Sequence, residues 1–446
     1  MSATGMTLDS GLMVQRDNVA RTLRRTTRIG FAMLALVLVY LTYTWFAFDV
    51  PALINSAKPE RAALLATDAV AHKVHVTRML RRGTTAIAIE GERTATYQTP
   101  PDWVAVDGEK LTIDLEDGYS VTMLATSLTF DIPDYGLIRV SVQDGRVITE
   151  LPPGRKPEWL RATSAKFDAR PDLGRRVQVS SAKMEVHRYF PGWENFFFPF
   201  RSPLSVLTAG EVLDLALSDE ELEPGTANWL LILDTFWTNP DWQHGNVFVA
   251  LLETLLMAVL GTFTAAFVAL PLAFLAARNF TPSGYVRFFV RRLFDFVRGI
   301  DMLIWSLIFI RSFGLGPLTG ALAIAFTDTG TLGKLFSEAL ENIDRRQVEG
   351  VNATGASKLQ AYRFGVIPQI LPIFISQGFY YLESNTRSAT VIGALGAGGI
   401  GLMLVETIKT SRDWENTLYI IILTVLMVIA MDALSTRLRR RFTGDN

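Results

Sequence analysis

Glu349-Gly-Val-Asn-Ala-Thr-Gly355-Ala-Ser-Lys-Leu-Gln-Ala-Tyr-Arg-Phe364-Gly-Val-Ile-Pro368 is a polar segment set between two strongly apolar stretches. Its residues spell a mechanical part. Asp344 or a neighbour begins a short helix that runs through Val348 to Ala356, and Gly355 with Ala356 allows a sharp, close-packed turn. A second helix, Leu359 to Val366, then meets Pro368 as the next apolar helix begins. Small residues on the first helix suit it to a groove in a partner protein.

Outward from this segment the chain alternates between apolar windows and basic clusters. Of its 446 residues 49% are hydrophobic and the formal net charge is −1, yet several windows are long and free of charge, which marks an integral membrane protein. The windows are residues 29–48, 247–277, 294–313, 318–336 (weakened by Asp328), 370–395 and 416–434. Arg16, Arg21, Arg24, Arg25 and Arg28 precede the first. Arg278 to Arg298 follow the second, Lys334, Arg345, Arg346, Lys358 and Arg363 surround the quoted segment, and Arg437 to Arg441 close the chain. Six spans with both termini in the cytoplasm place every basic cluster inside. The exit Phe48-Asp49-Val50-Pro51 is not a small-residue cleavage site, so the first window reads as a span and not a signal peptide.

Residues 50–246 are too polar to cross and fall outside the cytoplasm in this topology. Thr84–Ile89, Leu111–Leu115, Tyr119–Met123 and Leu137–Val142 alternate as strands do, and Asp107-Gly108, Asp117-Gly118 and Asp144-Gly145 supply hairpin turns. A β-rich domain over about 75–190 is expected, preceded by a helix over Pro59 to Arg82. Phe190–Phe200 and Trp229–Trp242 are crowded with aromatics that either lie at the membrane surface or pack the β-domain onto the membrane part. There are no cysteines and four histidines, of which His72 and His75 stand three apart, as on one helix face. With no third ligand nearby they read as surface histidines, and metal binding is not expected. Gly330-Thr-Leu-Gly-Lys334 has the wrong spacing for a phosphate loop, and no hydrolase signature is present, so the chain itself is not expected to be an enzyme.

The quoted segment resembles the coupling loop of ABC importer permeases, with Glu349, Gly355 and Pro368 at the family's spacing. Gly350 and Val351 replace the usual alanines, and Gly365 and Ile367 replace the usual Ile and Leu. Leu255–Asn279, Trp305–Pro317, Gly333-Lys334-Leu335 with Glu338, and above all Asn385-Thr-Arg-Ser-Ala-Thr-Val-Ile-Gly-Ala-Leu-Gly-Ala-Gly-Gly-Ile-Gly401 resemble phosphonate ABC transporter permeases, over about 245–436. Two features depart from that pattern: Asp301 stands where Pro is expected, and the insertion after the first span is unusually large.

The resemblance implies an all-α polytopic membrane bundle, the six-helix type I ABC importer permease, here with a β-rich extracytoplasmic insertion. The divisions are a cytoplasmic segment 1–28, a first helix 29–48, the insertion 50–246, a permease core 247–436 with coupling loop 338–368, and a cytoplasmic tail 437–446. It further implies an inner-membrane location, a second permease copy, an ATP-binding cassette ATPase dimer that holds the ATP and Mg, and an extracytoplasmic substrate-binding protein. No cofactor is expected in this chain, and no nucleic acid. Glu349, Gly355, Ala356 and Pro368 would form the ATPase dock. Cargo would be a phosphonate or a related phosphorus oxyanion, with phosphate and phosphite as alternatives. A membrane-anchored sensor using its β-domain is the competing class, and it would have no use for an ATPase dock.

Ionisable groups inside spans are costly and mark functional or paired sites. Glu383 and Arg387, four apart with Asn385 between them, either line the translocation path, where Arg387 meets the anion, or tie to each other. Gly396, Gly398 and Gly399, with Gly393 and Gly401, permit close packing or a re-entrant turn near an external gate.

Overall fold

The computed structural model describes residues 4–56, 59–91, 95–154, 156–410 and 414–443; the side chains of 4–22, 60, 61 and 443 are not described. Residues 1–3 of the expected cytoplasmic segment and 444–446 of the expected tail lie outside the described residues, as do the side chains of Arg16 and Arg21. The chain divides into two units, Met1–Leu64 and Leu65–Asn446.

In the first unit, α1 (Thr4–Ala47) ends in a 25-residue apolar stretch, Leu23–Ala47, long enough to cross a bilayer core. The short α2 (Val50–Ser56) follows. An alanine-rich α3 (Pro59–Val70) leads into the second unit. The helix expected to continue to Arg82 stops there, because Val74 and Val76 alternate with polar residues and Ala71–Met79 is β1. His72 and His75 therefore lie on a strand, and not on a helix face.

The β-domain is a sandwich of two six-stranded antiparallel sheets. One runs β2 (Thr84–Ile89), β1, β12 (Lys183–Pro191), β11 (Arg175–Ser180), β10 (Lys166–Ala169), β9 (Leu160–Ala162). The other is a meander of β3 (Val104–Asp107), β4 (Lys110–Asp114), β5 (Ser120–Met123), β6 (Ser127–Ile132), β7 (Gly136–Gln143) and β8 (Arg146–Glu150). Strict alternation drives every second side chain inward, so that Val76, Phe167 and Val186 of one sheet meet Ile113, Phe130 and Ile138 of the other, all fully buried. Asp144 and Gly145 both take positive φ (48° and 72°), the geometry a two-residue hairpin needs. β1 and β12 pair along their whole length, from Ala71 opposite Pro191 to Met79 opposite Lys183.

Next come α4 (Ala209–Leu217), started by a Thr208–Glu211 capping box, and α5 (Asn228–Trp237). The helical bundle consists of α6 (His244–Ala276), α7 (Gly284–Gly299), α8 (Met302–Phe313), α9 (Pro317–Glu341), α10 (Arg345–Ala353), α11 (Lys358–Ala361), α12 (Ile367–Ile392), α13 (Gly399–Thr410) and α14 (Trp414–Thr443). Small residues join its centre: Ala258, Gly261, Ala265, Ala269, Ala273 and Ala276 line the buried face of α6. A Cβ at Gly261 would stand 2.6 Å from Ile324 Cβ on α9, so only glycine allows this approach.

Among the described residues three helical stretches are long and apolar enough to cross a membrane: Leu23–Ala47, His244–Ala276 and Trp414–Phe442. The pair Lys358–Ala397 and Gly399–Thr410, bent by 59°, would make a fourth span. The expected span 294–313 is broken: α7 ends at Gly299, and the Asp301 carboxylate accepts from Leu303 N–H to start α8. The expected span 318–336 lies within α9, whose Asp328, Lys334, Glu338 and Glu341 keep it below a continuous apolar run.

The aromatic segments pack the sandwich onto the bundle. Trp242 Nε1–H donates to Glu194 O (3.0 Å), and His244 Nε2–H donates to Phe196 O (2.7 Å), which leaves His244 Nδ1 to accept from the Tyr419 hydroxyl on α14 (2.8 Å). Phe236 stacks on His244 at 4.0 Å, while Phe197 stays 62% exposed. His187 and His244 are buried.

Candidate functional site

The quoted segment folds as two short helices. Asp344 caps α10 by accepting from Arg346 N–H (2.9 Å), and Gly355, at φ +82°, makes the turn. Ser357 and Gln360 form a capping box that starts α11, and a single π-turn over Tyr362–Val366 carries the chain into α12. Pro368 sits in the first turn of α12, where no backbone donor is lost. Glu349 is exposed on α10, and Ala356 is half-buried at the turn. Gly365 lets α10 cross closely, since a Cβ there would stand 3.2 Å from Val348 Cα.

This loop is anchored on several sides. Gln369 of α12 accepts from Asp344 N–H (2.8 Å) and donates to Gly365 O (2.6 Å). Arg345 donates to Asn279 Oδ1 (3.1 Å), whose amide donates to the last carbonyls of α9, Leu340 O and Glu341 O. Glu341 accepts from Arg278 N–H (2.6 Å) and pairs with Arg291 of α7. A depression of about 470 Å³, lined by Arg278, Asn279, Phe280, Arg345, Glu349 and Tyr362, lies beside it. Leu359 (80%) and Phe364 (62%) are exposed apolar groups on the same loop.

In α12, Glu383 and Arg387 make the i,i+4 ion pair at 3.3 Å, with the arginine 58% exposed and the glutamate 17%. Asn385 does not share that face. It is buried at the junction of three helices, where its amide donates to Asp328 Oδ2 of α9 (2.5 Å) and Thr262 Oγ1 of α6 (2.8 Å). Sequence reasoning counted Asp328 only as a weakness in a span. A lone carboxylate in an apolar window was the available signal, and its partners stand far away in the chain.

Gly393–Ala397 forms a second π-turn, broken inside by positive φ at Gly396 (115°) and followed by positive φ at Gly398 (91°) and Gly399 (67°). α6 secures this turn: Glu253 Oε2 accepts from Gly399 N–H (3.0 Å), and Thr254 Oγ1 accepts from Ile400 N–H (2.9 Å). Glu253 was missed from sequence because nothing near it announces a partner so distant in the chain.

On the sandwich, the outer face of β1, β11 and β12 borders an 880 Å³ cavity, shared with Pro240–Gln243 and the end of α13. His187 Nδ1 stands 3.4 Å from Glu90. Burial alone would raise the Glu90 pKa, but His187 with Lys73 holds it down to about 2. Burial, with His187 as neighbour, pushes the His75 pKa below its ordinary value.

Residues 269–444 match the family model described as binding-protein-dependent transport system inner membrane component. A protein of Stutzerimonas stutzeri named for a phosphite transport system permease is 38% identical over 187 residues, 42% of this chain and 66% of that protein. The phosphate-import permease protein of Mycolicibacterium smegmatis is 38% identical over 188 residues, 42% of this chain and 35% of its own length. The chain thus spans about two thirds of the first relative and about a third of the second. An Escherichia coli K12 protein named for a cryptic phosphonate transport system permease is 47% identical over 121 residues, which is 27% of this chain and 98% of that protein.

Proposed function

This chain belongs to the family of binding-protein-dependent transport system inner membrane components, and on that premise we propose that it is the permease subunit of an ABC importer for phosphonates or a related small phosphorus oxyanion. The observation that carries this reading is the α10–α11 loop, with Glu349 exposed and the loop tied through Gln369 to α12 and through Asn279, just past α6, to the end of α9.

In this reading the fold is the type I importer permease, and six crossings are made by α1, α6, α7 with α8, α9, α12 and α14. Both termini lie in the cytoplasm. Two permease copies form the path, and an ATPase dimer that holds the ATP and Mg docks on Glu349, Gly355, Ala356 and Pro368. A separate binding protein delivers cargo on the side of the sandwich. Closure of the ATPases presses on α10. Gln369 passes that thrust to α12, and Asn279 with Arg345 passes it to the ends of α6 and α9. The path then opens on the far side, past the turn of Gly396, Gly398 and Gly399. Arg387, the more exposed partner of its ion pair, meets the passing oxyanion, and Asn385 holds α12 to α6 and α9. The names of the relatives support the cargo class: phosphite, phosphate and phosphonate.

The test is ATPase activity of the complex copurified with this subunit, reconstituted with its binding protein and challenged with phosphonates, phosphite and phosphate. Stimulation by one of them is the expected result and names the cargo. An intact complex indifferent to all of them would remove the cargo class.

A further inference from the structure

The Gly393–Gly399 turn lies at the opposite end of the bundle from the α10–α11 loop. About 24 residues of α6 separate Glu253 from the Ala276 end, or roughly 35 Å at 1.5 Å per residue. This turn is the place where the α12–α13 backbone leaves helical geometry, and it ends at the first two N–H groups of α13, which have no partner within that helix. Two neighbouring side chains of α6 serve them. Thr254 is fully buried and its hydroxyl donates to Ala250 O, so its bond to Ile400 is fixed in place. Glu253 differs: it is half-buried, on a longer and more flexible arm, and its one described bond goes to Gly399 N–H. A charged acceptor on a backbone N–H is stronger than a neutral one, and a carboxylate facing a helix N-terminus is stabilised by the helix dipole. Gly398, at φ +91°, supplies the backbone geometry that aims Gly399 N–H at it.

We propose that Glu253 is the positioning residue of the gate: its carboxylate latches the glycine turn shut, Thr254 is the pivot, and release of Gly399 N–H accompanies opening. This rests on the importer reading above. The latch acts through the backbone of the turn and does not touch cargo. It sets how much of the resting population is open, so its loss changes exposure of the turn and the coupling of ATPase to cargo together.

The chain has no cysteine, so Leu395→Cys within the turn supplies the one thiol of this subunit, and labelling is read on this subunit after it is separated from its partners. The complete transporter, carrying that cysteine in nanodiscs, is labelled with a maleimide at rest. Four versions are compared: Glu253, Glu253→Gln, Glu253→Asp and Glu253→Ala. Gln keeps an acceptor of the same reach, Asp keeps the charge without the reach, and Ala keeps neither. Labelling at rest should rise about tenfold or more in the Ala and Asp versions, the scale of losing one hydrogen bond to a charged group. Their ATPase should become less dependent on cargo, and Gln should restore most of both properties. Unchanged labelling in the Ala and Asp versions would overturn the latch. If the Ala version does not assemble, the Asp version decides. The parent separates this proposal from the importer reading. A parent stimulated by a phosphorus oxyanion, with variants that label like it, removes the latch alone. A parent indifferent to every cargo, with variants that label faster, removes the cargo class and leaves the latch.

Discussion

The sandwich and the bundle, joined in one chain, are built on opposite rules. In the sandwich the large apolar side chains point inward, with Phe130, Phe167, Ile113 and Met184 fully buried between the sheets. In the bundle many large ones point outward (Phe267 is 80% exposed, Phe289 69%), and alanine and glycine share the centre with a few large residues such as Ile324 and Phe336. Water makes the first arrangement stable through burial. The second suits hydrocarbon, where lipid solvates the large side chains and helices gain from close backbone approach. The difference teaches where each half is vulnerable: the sandwich to lost volume, the bundle to added volume, and the loop below it to a changed charge.

The largest effect should come from neither core. Glu349→Lys reverses the charge of an exposed residue on α10, so cargo-dependent ATPase and uptake should vanish while membrane insertion stays normal. Wild-type uptake by that variant would remove the dock from α10. Phe130→Ala should cost the sandwich about 3–5 kcal/mol by opening a cavity. Hydrogen exchange on the solubilised chain should show faster opening of β3–β8 and unchanged α6 and α9; equal loosening of both regions would break the contrast. Gly261→Val asks the reverse question, adding volume where Ile324 already sits. A loss of about 1–3 kcal/mol is expected, read as a lower melting temperature confined to the bundle. The smallest effect is that of mild acid. The folded sandwich keeps His75 neutral below its ordinary pKa of 6.5, so the unfolded chain takes up more protons and stability falls as pH drops through that value. Glu90, held at about 2 against 4.5 unfolded, adds a steeper loss of the same sign below pH 4.5. Protection factors at β1 and β12, corrected for the intrinsic pH dependence of amide exchange, should therefore fall from pH 7 to 5 while those of α6 are unmoved.

Sequence made the β-rich domain legible, though not its two-sheet arrangement, because a water-facing strand must alternate, and Asp-Gly pairs mark its turns. The two short helices of the α10–α11 loop were legible because Asp344, Gly355 and Pro368 act locally, each at the helix end or turn it shapes. What escaped was long-range. Whether Asp301 bends a span or breaks it depends on the cap it makes with Leu303. Asp328 read only as a weakness in an apolar window and Glu253 passed unnoticed, since their partners arrive from helices far along the chain. His72 and His75 escaped for a different reason. A spacing of three fits a helix face, and the period-two pattern of Val74 and Val76 that overrides it is only a few residues long.

The pairing of β1 with β12 has a consequence for how such a chain can change over generations. Because the first and last strands of the sandwich lie side by side, the polypeptide enters and leaves this domain at one spot. The module is therefore a detachable cassette: gaining or losing it leaves two loose ends already next to each other, with no need to rethread the helices. A lineage could shed residues 71–191 or swap them for another module in one recombination event, while the helical machinery was inherited intact.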